Sequence, residues 1–192
     1  MIISIVGLSG SGKSFIARIL ESYNPRIIHL DIDKIGHSVY ENQLVRQNLL
    51  NTFGESVLKD NQVDRKALGK IVFSNPNEMK KLEDITWSYM EAQIDAFIAS
   101  NKDKIILLDW LLLPKTKYFK ECDLRIMITA DQQTRMKRAL ERDHITEEEF
   151  LRRDNAAPEL NPNDFEYIIN NQSIEKTQEE VRLIYDKSII HR

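Results

Sequence analysis

The sequence predicts an α/β fold, a parallel sheet wrapped by helices on both faces, and three observations carry that reading. Short apolar runs alternate with segments of helical spacing along most of the chain. The runs "KIILLDW" (104–110) and "DLRIMIT" (123–129) are apolar without alternation, as strands covered on two sides must be. The first run, residues 2–6, leads through the glycine-rich "GLSGSGKS" (7–14) into "KSFIARILESY", where Phe15, Ile16, Ile19 and Leu20 recur on one helix face.

The remaining elements follow in order. "RIIHL" (26–30) reads as the second strand and ends at "DID" (31–33). Helical patterns occupy 42–54, 64–74, 77–101 and 131–143, and "EYIINN" (166–171) reads as a last strand. The stretch from about 40 to 103 is nearly all helix by this reading, a helical insertion rising from the carboxyl edge of the sheet. A charged helix pair over about 136–160 is a second appendage, with Thr146 expected as N-cap and Glu149 as its capping-box partner. Residues 177–192 read as a closing amphipathic helix.

Composition narrows the class. At 192 residues the chain suits one α/β domain with insertions. Its 42% hydrophobic and 30% charged content is that of a folded, water-soluble protein. A net charge of −3 supplies no basic face, so no nucleic-acid partner is expected. Cys122 is the single cysteine, and His29, His37, His144 and His191 are scattered, which excludes an intrachain disulfide and a zinc-spaced cluster. A reducing, cytoplasmic setting is expected. The longest apolar run is interrupted by Asp109 and is far shorter than the roughly 20 residues of a membrane span. The first run lacks a preceding basic region, so neither a leader nor a membrane partner is expected.

Residues 7–14 match G-x-x-x-x-G-K-S through Gly7, Gly12, Lys13 and Ser14, behind a strand and ahead of a helix as that phosphate-binding loop requires. The fold expected is therefore of the P-loop NTPase type. Backbone amides over Gly10, Ser11, Gly12, Lys13, Ser14 and Phe15 would surround phosphate oxygens at the positive end of the helix. Lys13 would bridge the β- and γ-phosphates of ATP, and Ser14 would hold Mg2+ through its hydroxyl. The competing reading is a fortuitous glycine turn.

Acids at strand ends point to the acceptor side. Asp31 and Asp33 are two residues apart, which aligns their side chains if the backbone stays extended. One carboxylate would then orient an acceptor hydroxyl and take its proton, although Asp33 equally suits a helix N-cap. Asp109 ends its strand as a Walker B acid does, holding Mg2+ directly or through water, or is simply a solvated strand end. Arg135, Arg138 and Arg142 share a helix face, either as charge-neutralising residues of a lid or as part of a mixed-charge surface. Trp87 and Trp110 fit a core better than a stacking platform, and Cys122 has no neighbours that would activate its thiol.

Taken together these pieces resemble the dephospho-CoA kinase family. The resemblance rests on "VGLSGSGKS", "LDIDKIGH", "VDRKALGKIVFSNP", "LLDWLLL", "MKRALERDHIT" and "FEYIINNQS" in that order, and it covers nearly the whole chain. It implies phosphoryl transfer from ATP to the ribose 3′-hydroxyl of dephospho-CoA, the last step of coenzyme A synthesis. By the same resemblance Asp33 is the base and Asp31 its companion. Arg142 is the lid arginine that reaches the phosphates, with Arg138 beside it. Arg65 lies near the acceptor, with Asp109 also on that side, and Asn171 lies near the adenine. The helical insertion covers the acceptor.

The chain departs from the family pattern at Leu8 and Ser9, at Thr86 and Trp87, over Leu111 to Pro114, and near Ala156 and Ala157. Three of these four departures fall on the acceptor side or beside the lid. Two further readings therefore stand beside the first: a nucleoside or nucleoside-monophosphate kinase, and a non-catalytic nucleotide-binding paralogue.

Overall fold

A computed structural model describes residues 1–72 and 75–191 of the chain. In chain order it contains β1 (Ile2–Val6), α1 (Lys13–Tyr23), β2 (Ile27–Asp31), α2 (Ile32–Ser38), α3 (Gln43–Phe53), β3 (Leu58–Lys59), β4 (Gln62–Val63), α4 (Arg65–Val72), α5 (Pro76–Ser100), β5 (Ile105–Asp109), α6 (Lys117–Glu121), β6 (Leu124–Thr129), α7 (Gln132–Asp143), α8 (Glu147–Asn155), β7 (Tyr167–Asn170) and α9 (Ile174–Ile184). Phe73 and Ser74, at the end of the helix expected over 64–74, and Arg192, at the end of the expected closing helix, lie outside the described residues.

Two compact units emerge. The first joins Met1–Asp31 to Asn101–Arg192. Its five strands lie in the order β2-β5-β1-β6-β7, every neighbouring pair parallel. Parallel neighbours need crossover connections, which is why strands and helices alternate in the sequence. All five residues of β5 are buried, as its unbroken apolar run requires. On one face Ile3, Ile5, Leu107, Ile126, Ile128 and Ile169 pack with Ile16 and Leu20 of α1 and Val181 and Ile184 of α9. Each such side chain contributes about 1.5–3 kcal/mol on burial, so this layer fixes the register of the strands. The strand order reverses at β1, and such a reversal opens a crevice beyond the strand's carboxyl end. Residues 7–14 follow there.

The second unit is Ile32–Ser100, containing α2 to α5. It overlaps the insertion expected over about 40–103 and begins eight residues earlier. Its core is built from Val39, Val45, Leu49, Val57, Leu68 and Val72, flanked by Leu82 and Tyr89. Caps set its helix ends. The Asn42 side chain accepts from the Leu44 and Val45 amides, and Asp64 accepts from those of Lys66 and Ala67.

Local chemistry overrode the helical pattern in several places. Residues 58–63 form an antiparallel ribbon, β3 with β4, inside the stretch read as nearly all helix. Its turn residues Asp60 and Asn61 have φ of 51° and 60°, the left-handed conformation that tight hairpins demand and short polar side chains tolerate. The closing helix is regular only to Ile184, and Tyr185–Ile189 continues as a wider π-turn. Thr146 caps α8 by accepting from the Glu149 amide at 3.2 Å, but the Glu149 carboxylate pairs with Arg153 one turn on.

Trp110 is buried at 6% exposure, which fits its expected core role. Cys122 is also buried, its Sγ donates to the Tyr118 carbonyl at 3.2 Å, and burial pushes its thiol pKa up to about 12. Only the thiolate reacts readily, so the native thiol is inert near neutrality. A disulfide-exchange reagent in mildly alkaline buffer should label no thiol in the folded chain and one per chain in denaturant; rapid native labelling would show that the β6 end of the sheet opens.

Candidate functional site

The glycine loop is shaped from behind. The Ser11 amide donates to the Leu8 carbonyl at 3.1 Å, and Gly10 and Gly12 adopt φ of 78° and 98°. A Cβ on Gly10 would fall 2.2 Å from the Arg135 carbonyl oxygen, and one on Gly12 would fall 2.0 Å from Nδ2 of Asn171. Both glycines are therefore fixed twice over, by backbone conformation and by the closeness of what lies behind them. Gly12 is the N-cap of α1 and has no side chain to cap it, which leaves the Lys13 and Ser14 amides for an anion, whereas the Phe15 amide donates to the Gly12 carbonyl at 3.0 Å.

Asn171 is the main brace. It is 3% exposed, its Nδ2 donates to the Ser11 carbonyl at 2.8 Å, and its Oδ1 accepts from the Thr177 hydroxyl at 3.2 Å. The resemblance puts this residue near the adenine; the structure engages its amide with the phosphate loop itself. Arg138 acts alongside, donating to the Asn171 carbonyl at 3.0 Å and to the Gly10 carbonyl at 3.4 Å.

The three arginines of α7 share a face in sequence and separate in the structure. Arg135 is buried and forms a two-pronged pair with Asp154 of α8, at 2.5 and 3.0 Å, with its guanidinium over the Phe150 ring. That hydrogen-bonded pair holds the Asp154 carboxyl below the usual carboxylate range. Arg138 supports the loop, while Arg142 is 63% exposed and paired with its neighbour Asp143. Mixed-charge packing and loop support thus account for two of the three.

Asp109 lies at the carboxyl end of β5, level with Ile5 of β1 and Asp31 of β2. Its side chain is 3% exposed, so it is not the solvated strand end that the sequence left open. Oδ2 accepts from Ser14 Oγ at 3.5 Å and lies 3.2 Å from His29 Nε2. Oδ1 is 3.8 Å from Lys13 Nζ and, among the described residues, has no hydrogen-bond partner. A buried carboxylate oxygen without a donor suits a cation. With the Ser14 hydroxyl beside it, this pair fits Mg2+, which is usually held by one or two protein oxygens and the phosphates of its nucleotide.

Other expected site residues lie further along the chain. The backbone is helical from Ile32, so the extended geometry that would align Asp31 with Asp33 ends at Asp31. Asp33 stands in the first turn of α2, inside the helix that begins at Ile32. Arg65, in the same unit, donates to the His37 carbonyl at 2.8 Å and stacks over Tyr40, whose phenol pKa is raised by burial. His29, Asp154 and Thr177 were not singled out from sequence. For His29 a signal existed: in "HLD" it is two residues before Asp31, on the same strand face.

A family model described as dephospho-CoA kinase matches residues 1–176. The chain belongs to that family. Among curated dephospho-CoA kinases, that of Aquifex aeolicus is 30% identical over 191 residues, covering 96% of each chain. That of Carboxydothermus hydrogenoformans is 32% identical over 205 residues, covering 97% of this chain and 95% of its own. The crystal structure of TT1252 from Thermus thermophilus shares the fold with a TM-score of 0.81 at 24% identity, over 98% of this chain and 97% of its own. A dephospho-CoA kinase structure from Campylobacter jejuni aligns with a TM-score of 0.57, also at 24% identity, over 97% and 96%.

The Arg135 and Asp154 side chains are 7% and 8% exposed, so breaking the pair leaves a charge stranded. Asp154→Ala should cost about 3–5 kcal/mol of unfolding free energy near neutrality, read by denaturant titration. Because the folded carboxyl pKa is depressed, the stabilisation is complete above its unfolded value and is lost as pH falls through the folded one. The difference between wild type and variant should therefore shrink below about pH 4. A difference independent of pH would assign the loss to packing of Phe150.

Proposed function

We propose that this chain transfers the γ-phosphoryl group of ATP to the ribose 3′-hydroxyl of dephospho-CoA. The observation that carries the reading is the meeting of Lys13, Ser14 and Asp109 at the carboxyl edge of β1 and β5, in a chain whose family match spans residues 1–176. Phosphoryl transfer asks a protein for positioning and charge neutralisation more than for covalent chemistry. The loop amides hold the phosphates, and Lys13 exchanges its 3.8 Å approach to Asp109 for the β- and γ-oxygens. Mg2+, held by Ser14 and Asp109, would neutralise charge between those oxygens.

Asp33 takes the proton of the acceptor hydroxyl in this reading, with Asp31 as its companion acid. Arg142 neutralises the transferring group once it leaves Asp143, and Arg65 lies in the segment assigned to the acceptor. The charged pair α7 and α8 acts as the lid. No helix among the described residues is long and apolar enough to cross a membrane. The single buried thiol suits a reducing compartment, so we place the protein in the cytoplasm.

A coupled assay of ADP release with ATP and Mg2+, run separately with dephospho-CoA, adenosine, AMP, dAMP and CMP, tests the acceptor. Turnover confined to dephospho-CoA is expected. Turnover confined to a nucleoside or its monophosphate would replace the acceptor, and nucleotide binding without turnover would favour a non-catalytic paralogue. Lys13→Ala should lower kcat/KM by roughly 100-fold or more, the scale on which such charge stabilisation acts. Asp33→Asn should lower kcat by about 100- to 10,000-fold if Asp33 is the base, and a near-normal kcat would remove it from that role.

A further inference from the structure

His29 approaches the Asp109 carboxylate more closely than Ser14 or Lys13 does, and neither the loop motif nor the acid at the strand end accounts for it. Strand pairing puts His29 level with Leu107 and Asp31 level with Asp109, so the imidazole and both carboxylates belong to one face of the sheet. The ring is 15% exposed and reaches forward along that face, its Nε2 lying 3.2 Å from Asp109 Oδ2. A carboxylate can only accept, so the hydrogen on this ring is assigned to Nε2. The other donor to Oδ2, the Ser14 hydroxyl, is at 3.5 Å, the outer limit of a hydrogen bond. That hydroxyl is also the one assigned to the cation.

We propose that His29 is a positioning residue for the magnesium-nucleotide site: its Nε2–H anchors Oδ2 of Asp109, which leaves Oδ1 presented to the cation. Without this donor, the buried carboxylate keeps one long hydrogen bond, and its nearest full positive charge is Lys13. Rotation toward that ammonium satisfies the acid at the expense of the cation. Partners of this kind, which orient a metal-binding carboxylate without touching the metal, commonly alter metal affinity or activity by about 10- to 100-fold.

This inference rests on the nucleotide half of the proposed function and not on the acceptor. Calorimetric titration of the full chain with ADP, with and without Mg2+, gives the ratio of the two dissociation constants as a measure of metal coupling. His29→Leu, a donor-free side chain suited to a strand, should reduce that ratio about tenfold or more while leaving metal-free ADP affinity near wild type. His29→Gln, which can still donate, should recover most of it, and His29→Leu added to Asp109→Asn should change the ratio no further. The inference is overturned if the ratio is unchanged in His29→Leu, or if metal-free ADP binding weakens by the same factor. It is also overturned if wild type binds ADP equally with and without Mg2+. Should His29→Leu fail to fold, an unchanged coupling ratio in His29→Phe has the same meaning. Dephospho-CoA is absent from this titration, so a chain that fails to phosphorylate it still reports on His29.

Discussion

A loop that grips phosphate must present its amides outward, and it can do so only if its carbonyls are held from behind. Here that support comes from elements distant in sequence. Arg138 donates to Gly10, Asn171 donates to Ser11, and the Arg135 carbonyl lies so near Gly10 that no side chain fits between them. Thr177 in turn fixes the Asn171 amide, and Asp154 holds Arg135. The glycines are thus needed as much for the closeness of their supports as for backbone freedom.

The Asp109 carboxylate imposes a second constraint, because a buried charge must be satisfied by its surroundings. Lys13 and Ser14 come from α1, His29 comes from β2, and the acid itself comes from β5. Three neighbouring elements of the sheet layer therefore converge on one group. The apolar layer formed by Ile3, Ile5 and Leu107 with α1 sets their spacing, so packing in the core governs distances at the edge.

The sheet was readable because each of its strands carries an unbroken or nearly unbroken apolar run, and the loop was readable because its chemistry tolerates few substitutes. What sequence concealed depends on turns and on three-dimensional neighbours. The β3 to β4 ribbon depends on two polar residues accepting left-handed φ, a signal too short to stand out within 60 residues of helical pattern. The alignment of Asp31 with Asp33 assumed an extended backbone that gives way to helix at Ile32. Arg135, Arg138 and Arg142 lie on one helix face, yet only the fold shows that one pairs with Asp154, one supports the loop and one remains at the surface. His29 could be assigned to a face but not to a partner.

The bond from Asn171 to the Ser11 carbonyl joins residues 160 positions apart. During synthesis the glycine motif is therefore made well before its brace. The loop has this support only once β7 and α9 are in place, because Asn171 lies between them and Thr177 of α9 holds its amide. A chain bearing an intact phosphate-loop sequence but not yet Asn171 lacks the hydrogen bond that holds the Ser11 carbonyl from behind.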